Sequence, residues 1–132
     1  MRVGDLVTPA LVADLGVLDH NVSTMATARP GAALRPHVKA FQCTELAARL
    51  RDAGHHAFCC ATVREVEGMV AAGLGSDLLL ANEVVDVGRL AVLGSLVAEG
   101  KGRVTVAVDS PETIAAASGT GIREVLIDVD VG

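Results

Sequence analysis

The sequence predicts an α/β fold of repeated strand–helix units with parallel strands. Three observations predict it. Short runs rich in β-forming residues alternate with helical stretches at intervals of roughly 20 to 25 residues, the spacing of βαβ units. Of the 132 residues, 51% are hydrophobic, yet there is no Trp or Tyr and only two Phe. The core must therefore be Ala, Val and Leu packed between helices and strands. The length suits one domain with a real core, residues 1–132, and is too short for two.

The elements follow in order. Strand candidates are residues 10–14, 33–39, 57–61, 77–81, 103–109 and 124–130. Leu18, Val22 and Met25 give the first helix its apolar stripe. Gly54 and Gly73 stand where helix ends favour a left-handed residue. Thr62 and Glu65 fit a capping box, followed by Val66, Met69 and Val70 at helical spacing. Asn82 is expected to cap a helix whose inner face uses Val84, Val87, Leu90 and Ala91. Ser110-Pro111 sets an N-cap before a proline at the first helical position. His55 and His56 are expected in a solvated helix-to-strand turn.

Six strands fall short of a (β/α)8 barrel, which takes eight units and typically ~250 residues. The last run, "EVLIDVDVG", reads as a buried strand with no covering helix after it. Two architectures fit: a complete doubly wound sheet, or the N-terminal part of a TIM-type (β/α)8 barrel. The second is expected, with the later strands missing. The uncovered edge predicts self-association, most simply a homodimer.

Charge and composition exclude several classes. A net charge of −5 gives no basic patch for nucleic acid. No apolar run approaches the ~20 residues of a membrane span, and no Lys/Arg-rich amphipathic helix suits a membrane surface. Gly4, Asp5 and Pro9 interrupt anything resembling a signal peptide. Three cysteines, two of them adjacent, argue against a disulfide framework and for a reducing, cytoplasmic setting. Cys43, His55, His56, Cys59 and Cys60 lack the two-plus-two spacing of a zinc site, and Cys59 and Cys60 face opposite ways on one strand. Phosphate motifs of the GxGxxG or P-loop kind are not found; "GLGSD" is too short and follows a helix.

The chemistry concentrates in "LRPHVKAF". In an extended run Arg35, His37 and Lys39 share one face, and Leu34, Pro36 and Val38 the other. The plain explanation is a sheet edge with a wet polar face. The functional one is a face turned into a barrel or crevice near the carboxyl ends of the strands, where α/β active sites gather. A lysine there, among apolar walls and other cations, has its charged form disfavoured. Its neutral amine can attack an aldehyde and form a Schiff base. Arg35 is a fixed positive charge suited to a phenolate or carboxylate. His37 suits stacking on a ring or relaying a proton. Asp128 and Asp130, two apart, are candidates to pair with Lys39.

The stretches "TPALVADLGVLDHNV", "LRPHVKAF", "GHHAFCCATVREVEGMVAAGL", "DLLLANEVV" and "EVLIDVDVG" stand in an order that resembles the pyridoxal-phosphate barrel family of alanine racemases. The nearest branch is the D-threonine aldolase and D-serine dehydratase-like group. "RPHVK" followed by "CATVREVE" is the most specific part. The resemblance implies that residues 1–132 are part of a barrel that binds pyridoxal 5'-phosphate. It assigns Lys39 as the catalytic residue that carries the cofactor, with His37 and Arg35 as further cofactor-binding residues. It implies a small-molecule D-amino acid substrate and aldolase-type Cα–Cβ cleavage to glycine and an aldehyde. Dehydration, racemisation and a truncated, non-catalytic cofactor-binding module are the alternatives. Full-length relatives of this branch are expected to hold a divalent metal in a later β domain, outside this chain. Where the family often has a histidine and a second lysine, this chain has Phe41 and Gln42.

Overall fold

The structure is a computed structural model that describes residues 2–132. Four strands form one parallel sheet in sequence order: β1 (Phe58–Cys60), β2 (Leu78–Leu80), β3 (Val104–Val108) and β4 (Glu124–Ile127). Helices α3 (Val63–Ala71), α4 (Val87–Ala98) and α5 (Pro111–Ala117) connect them, and α1 (Leu15–Ala28) and α2 (Thr44–Asp52) precede them. Pairing puts Phe58 beside Leu78, Leu78 beside Val104, and Thr105 beside Glu124.

Alternation along each strand sorts the side chains onto two faces. Phe58, Cys60, Leu78, Leu80, Val104, Val106 and Val108 pack on the helix side with Val66, Met69, Leu90 and Leu93, all almost fully buried. Each such side chain contributes roughly 1.5–3 kcal/mol of burial. Cys59, Leu79 and Thr105 turn the other way and are half-buried. Leu126 lies on that same face and is 51% exposed. This second face is open.

Several local expectations hold for identifiable reasons. Thr62 caps α3 by accepting the Glu65 N–H at 3.1 Å, although the expected capping box does not close, because the Glu65 carboxylate accepts from Ala61 rather than Thr62. Ser110 caps α5 through the Thr113 N–H, with Pro111 following. On α4 the inner face is Leu90, Leu93 and Gly94, while Val87 and Ala91 are exposed. A Cβ on Gly94 would collide with the Thr120 carbonyl, so only glycine lets α4 approach the loop before β4.

Others are corrected. Residues 10–14 form no strand; Asp14 instead caps α1, accepting from the Val17 N–H at 3.1 Å. Leu18 and Val22 of the α1 stripe are half-buried and Met25 is exposed. The run 33–39 gives a single bridge, His37 to Cys59, before a 3-10 turn over Val38–Ala40. Pro36 explains this: it has no N–H to donate, though its carbonyl accepts from Cys59 N–H at 2.8 Å. Asp86, not Asn82, caps α4, accepting the Arg89 N–H at 3.0 Å. Asn82 donates its side-chain amide to the Ala61 carbonyl at 3.3 Å, tying the ends of β1 and β2. His55 is fully buried, and only His56 is exposed.

Candidate active site on the open face

The bridge between His37 and Cys59 sets the face of the preceding segment. His37 stands beside Cys59, so Arg35, two residues earlier, is directed to the same open face at the amino end of the sheet. There Arg35 Nη2 meets Asp77 Oδ2 at 3.0 Å, and Nη1 donates to the carbonyls of Phe58 and Asp77 at 3.3 Å each. Arg103 continues the row, 3.7 Å from Asp77 and 2.8 Å from Glu124. Thr105 Oγ1 donates to Glu124 at 3.2 Å. The hydrogen bond from Arg103 holds the Glu124 carboxyl below its ordinary range. Arg35 thus has its charge met by Asp77, 42 residues away in sequence, rather than standing free for a ligand.

One layer up, His37 Nδ1 accepts the Lys39 N–H at 3.3 Å. That bond assigns the neutral ring's proton to Nε2. Desolvation, and then the charge of Lys39, push the His37 pKa below its usual value; Glu65 opposes them. His37 is therefore neutral near pH 7 and presents an Nε2–H donor. Glu65 is half-buried and accepts the Ala61 N–H at 2.7 Å. It is a carboxylate near His37 that the sequence had offered only as a helix cap. Burial raises the Cys59 thiol, and pushes Cys60, behind the sheet, up to about 12. Both are protonated thiols at neutral pH.

Lys39 is exposed and, among the described residues, takes part in no ion pair. Its charge acts on His37 and Cys59. The apolar walls expected around it are not seen: among the described residues nothing buries Lys39. Asp128 and Asp130 do not pair with it; they join Glu83 and Asp109 around a hollow of about 410 Å³ beyond the carboxyl ends of β2 to β4. Phe41, in the place of the family's histidine, packs against the core. Among the described residues no group of three or more His, Cys, Asp or Glu is arranged to hold a metal ion. Among the described residues no helix is long and apolar enough to cross a membrane.

The model of the alanine racemase N-terminal domain matches residues 13–132. The chain belongs to that family. It is 38% identical over 132 residues to a D-threonine aldolase from an Arthrobacter species, spanning 95% of this chain and 34% of that protein. The crystal structure of D-threonine aldolase from Filomicrobium marinum superimposes with a TM-score of 0.86 at 34% identity, covering 98% of this chain and 36% of that one. D-threo-3-hydroxyaspartate dehydratase gives 0.82 at 32% identity, covering 95% and 33%. The chain thus spans about a third of the length of these relatives. Among alanine racemase-type domains, the parallel sheet with alternating helices is the N-terminal part of a TIM-type barrel, as the sequence predicts.

Proposed function

We propose that this chain is the lysine-bearing part of a pyridoxal-phosphate-dependent lyase that cleaves the Cα–Cβ bond of a β-hydroxy D-amino acid, giving glycine and an aldehyde. The observation that carries this reading is the setting of Lys39: an amine in no ion pair among the described residues, next to a neutral histidine, toward the carboxyl side of the β1 edge. The donor set fits the cofactor. A lysine amine without a carboxylate partner is available to a carbonyl, and the His37 Nε2–H suits an oxygen anion beside it. Pyridoxal 5'-phosphate, when bound, supplies an electron sink for the pair released when a bond at Cα breaks.

The chain's own residues then divide the work. Lys39 holds the cofactor. His37 offers its donor while remaining uncharged. Arg35, expected as a cofactor anchor, acts at one remove: clamped to Asp77 and the Phe58 carbonyl, it fixes the segment that presents His37 and Lys39. A divalent metal, if later domains supply one, enters no step performed by these residues. Similarity to the dehydratase supports a second reading, loss of the β-hydroxyl in place of aldehyde. Cysteine usage supports a cytoplasmic setting.

The protein as its gene encodes it should be labelled at Lys39 when mixed with pyridoxal phosphate and reduced with borohydride, and Lys39→Ala should not be. With divalent metal added, D-threonine should yield glycine and acetaldehyde. Formation of a 2-oxo acid with ammonia would select the dehydratase reading. Labelling that persists in Lys39→Ala would remove the basis of both.

A further inference from the structure

Residues 29–41 form a limb with little regular structure: two 3-10 turns and one β-bridge. Val38 is buried in the core and Phe41 packs against it, and three polar attachments add to that hold. Near its tip, Pro36 accepts from the Cys59 N–H, and Arg35 reaches Phe58 and Asp77. At its root, the His55 Nδ1 lies 3.2 Å from the Gly31 carbonyl oxygen, a contact between residues 24 apart. That carbonyl only accepts, so the neutral ring carries its proton on Nδ1. Nε2 is then left buried with no hydrogen-bond partner among the described residues. An orphaned buried nitrogen is unfavourable, and leucine would fill the site without one. The imidazole at this fully buried position therefore serves the single bond to Gly31. Gly31 itself has φ +53, a left-handed conformation suited to glycine.

We infer that His55 is a positioning residue for Lys39: by pinning the root of the limb, its Nδ1–H fixes where the limb's tip delivers the lysine amine. This rests on the reading of Lys39 given above. His55 lies on the amino-terminal side of β1, and among the described residues its side chain hydrogen-bonds only to Gly31.

Three variants made in the protein as encoded separate this from plain packing. In His55→Asn the amide nitrogen falls near the place of Nδ1. In His55→Gln it reaches instead toward Nε2, and His55→Leu has no donor. Two quantities are measured: the pyridoxal phosphate concentration that half-labels Lys39 under borohydride, and hydrogen exchange at the amides of Ala40, Phe41 and Gln42. Loss of one buried hydrogen bond predicts an increase of about tenfold in both the half-labelling concentration and the exchange rates for Gln and Leu. Asn should remain within about twofold of the parent. If all three label and exchange like the parent, or if Asn loses as much as Leu, the inference is overturned. Should the leucine variant fail to fold, the contrast between Asn and Gln decides. A parent protein that takes no label would refute the proposed function; hydrogen exchange then still decides whether His55 anchors the limb.

Discussion

The open face of the sheet has two ends that treat charge in opposite ways. At the amino end, Arg35, Asp77, Arg103 and Glu124 alternate in sign from strand to strand and each finds a partner. At the carboxyl end, Lys39, Glu83, Asp109, Asp128 and Asp130 take part in no ion pair among the described residues. The two sets hang on the same strands, so the difference lies in purpose. Neutralised charge at one end fixes strand neighbours and register. The charges without ion pairs lie at the carboxyl ends of the strands, the end where parallel α/β proteins carry their chemistry.

The contrast can be broken at either end. The largest expected effect is functional: Lys39→Ala should abolish borohydride-fixed labelling yet move the urea midpoint by no more than about 0.5 kcal/mol of stability. A large loss of stability would mean that the carboxyl end also holds the fold. Next, Asp77→Ala leaves Arg35 and Arg103 without their shared carboxylate. Since the pair is partly exposed, urea unfolding should show a loss of about 1–2 kcal/mol after solvent screening. Glu83→Gln, at the opposite end, should stay within about 0.5 kcal/mol.

A third effect depends on pH. Burial and Lys39 lower the proton affinity of His37 in the folded chain, so the unfolded chain takes up that proton first as pH falls. The stability held by neutral His37 is complete above about pH 6.5 and declines as pH drops below it toward the lower folded-state value. Urea midpoints in His37→Asn should fall less between about pH 7 and pH 5 than in the parent. The smallest effect belongs to Glu124→Gln. It should lower the midpoint less than Asp77→Ala, and the difference from the parent should vanish near about 1 M salt, where exposed ion pairs are screened.

Much of this was legible in the sequence where the signal is local. β1 to β4 lie within predicted strands because apolar runs bounded by turn residues favour strands, but only β1 to β3 are largely buried; β4, expected to be buried, has Val125, Leu126 and Ile127 exposed. The starts of α3 and α5 follow from hydroxyls and a proline at fixed offsets. Spacing drew attention to Arg35, His37 and Lys39 on one face, and the family resemblance, not spacing, gave Lys39 its expected role. What failed was non-local. Residues 10–14 and 33–39 have strand-like composition, but a strand also needs a partner on its edge, and Pro36 in the second run was the available warning. The clamp of Arg35 on Asp77 spans 42 residues and the bond from His55 to Gly31 spans 24, so no short window contains either pair.

The strand order has a consequence for how the chain is born. Every strand pairs with the one made just before it, through a right-sized helical crossover, and none waits for a distant segment. Closing such short loops is entropically mild, so each new unit can dock as it leaves the ribosome, using the previous strand as its template. The growing edge is always the youngest strand, and β4 holds that position here.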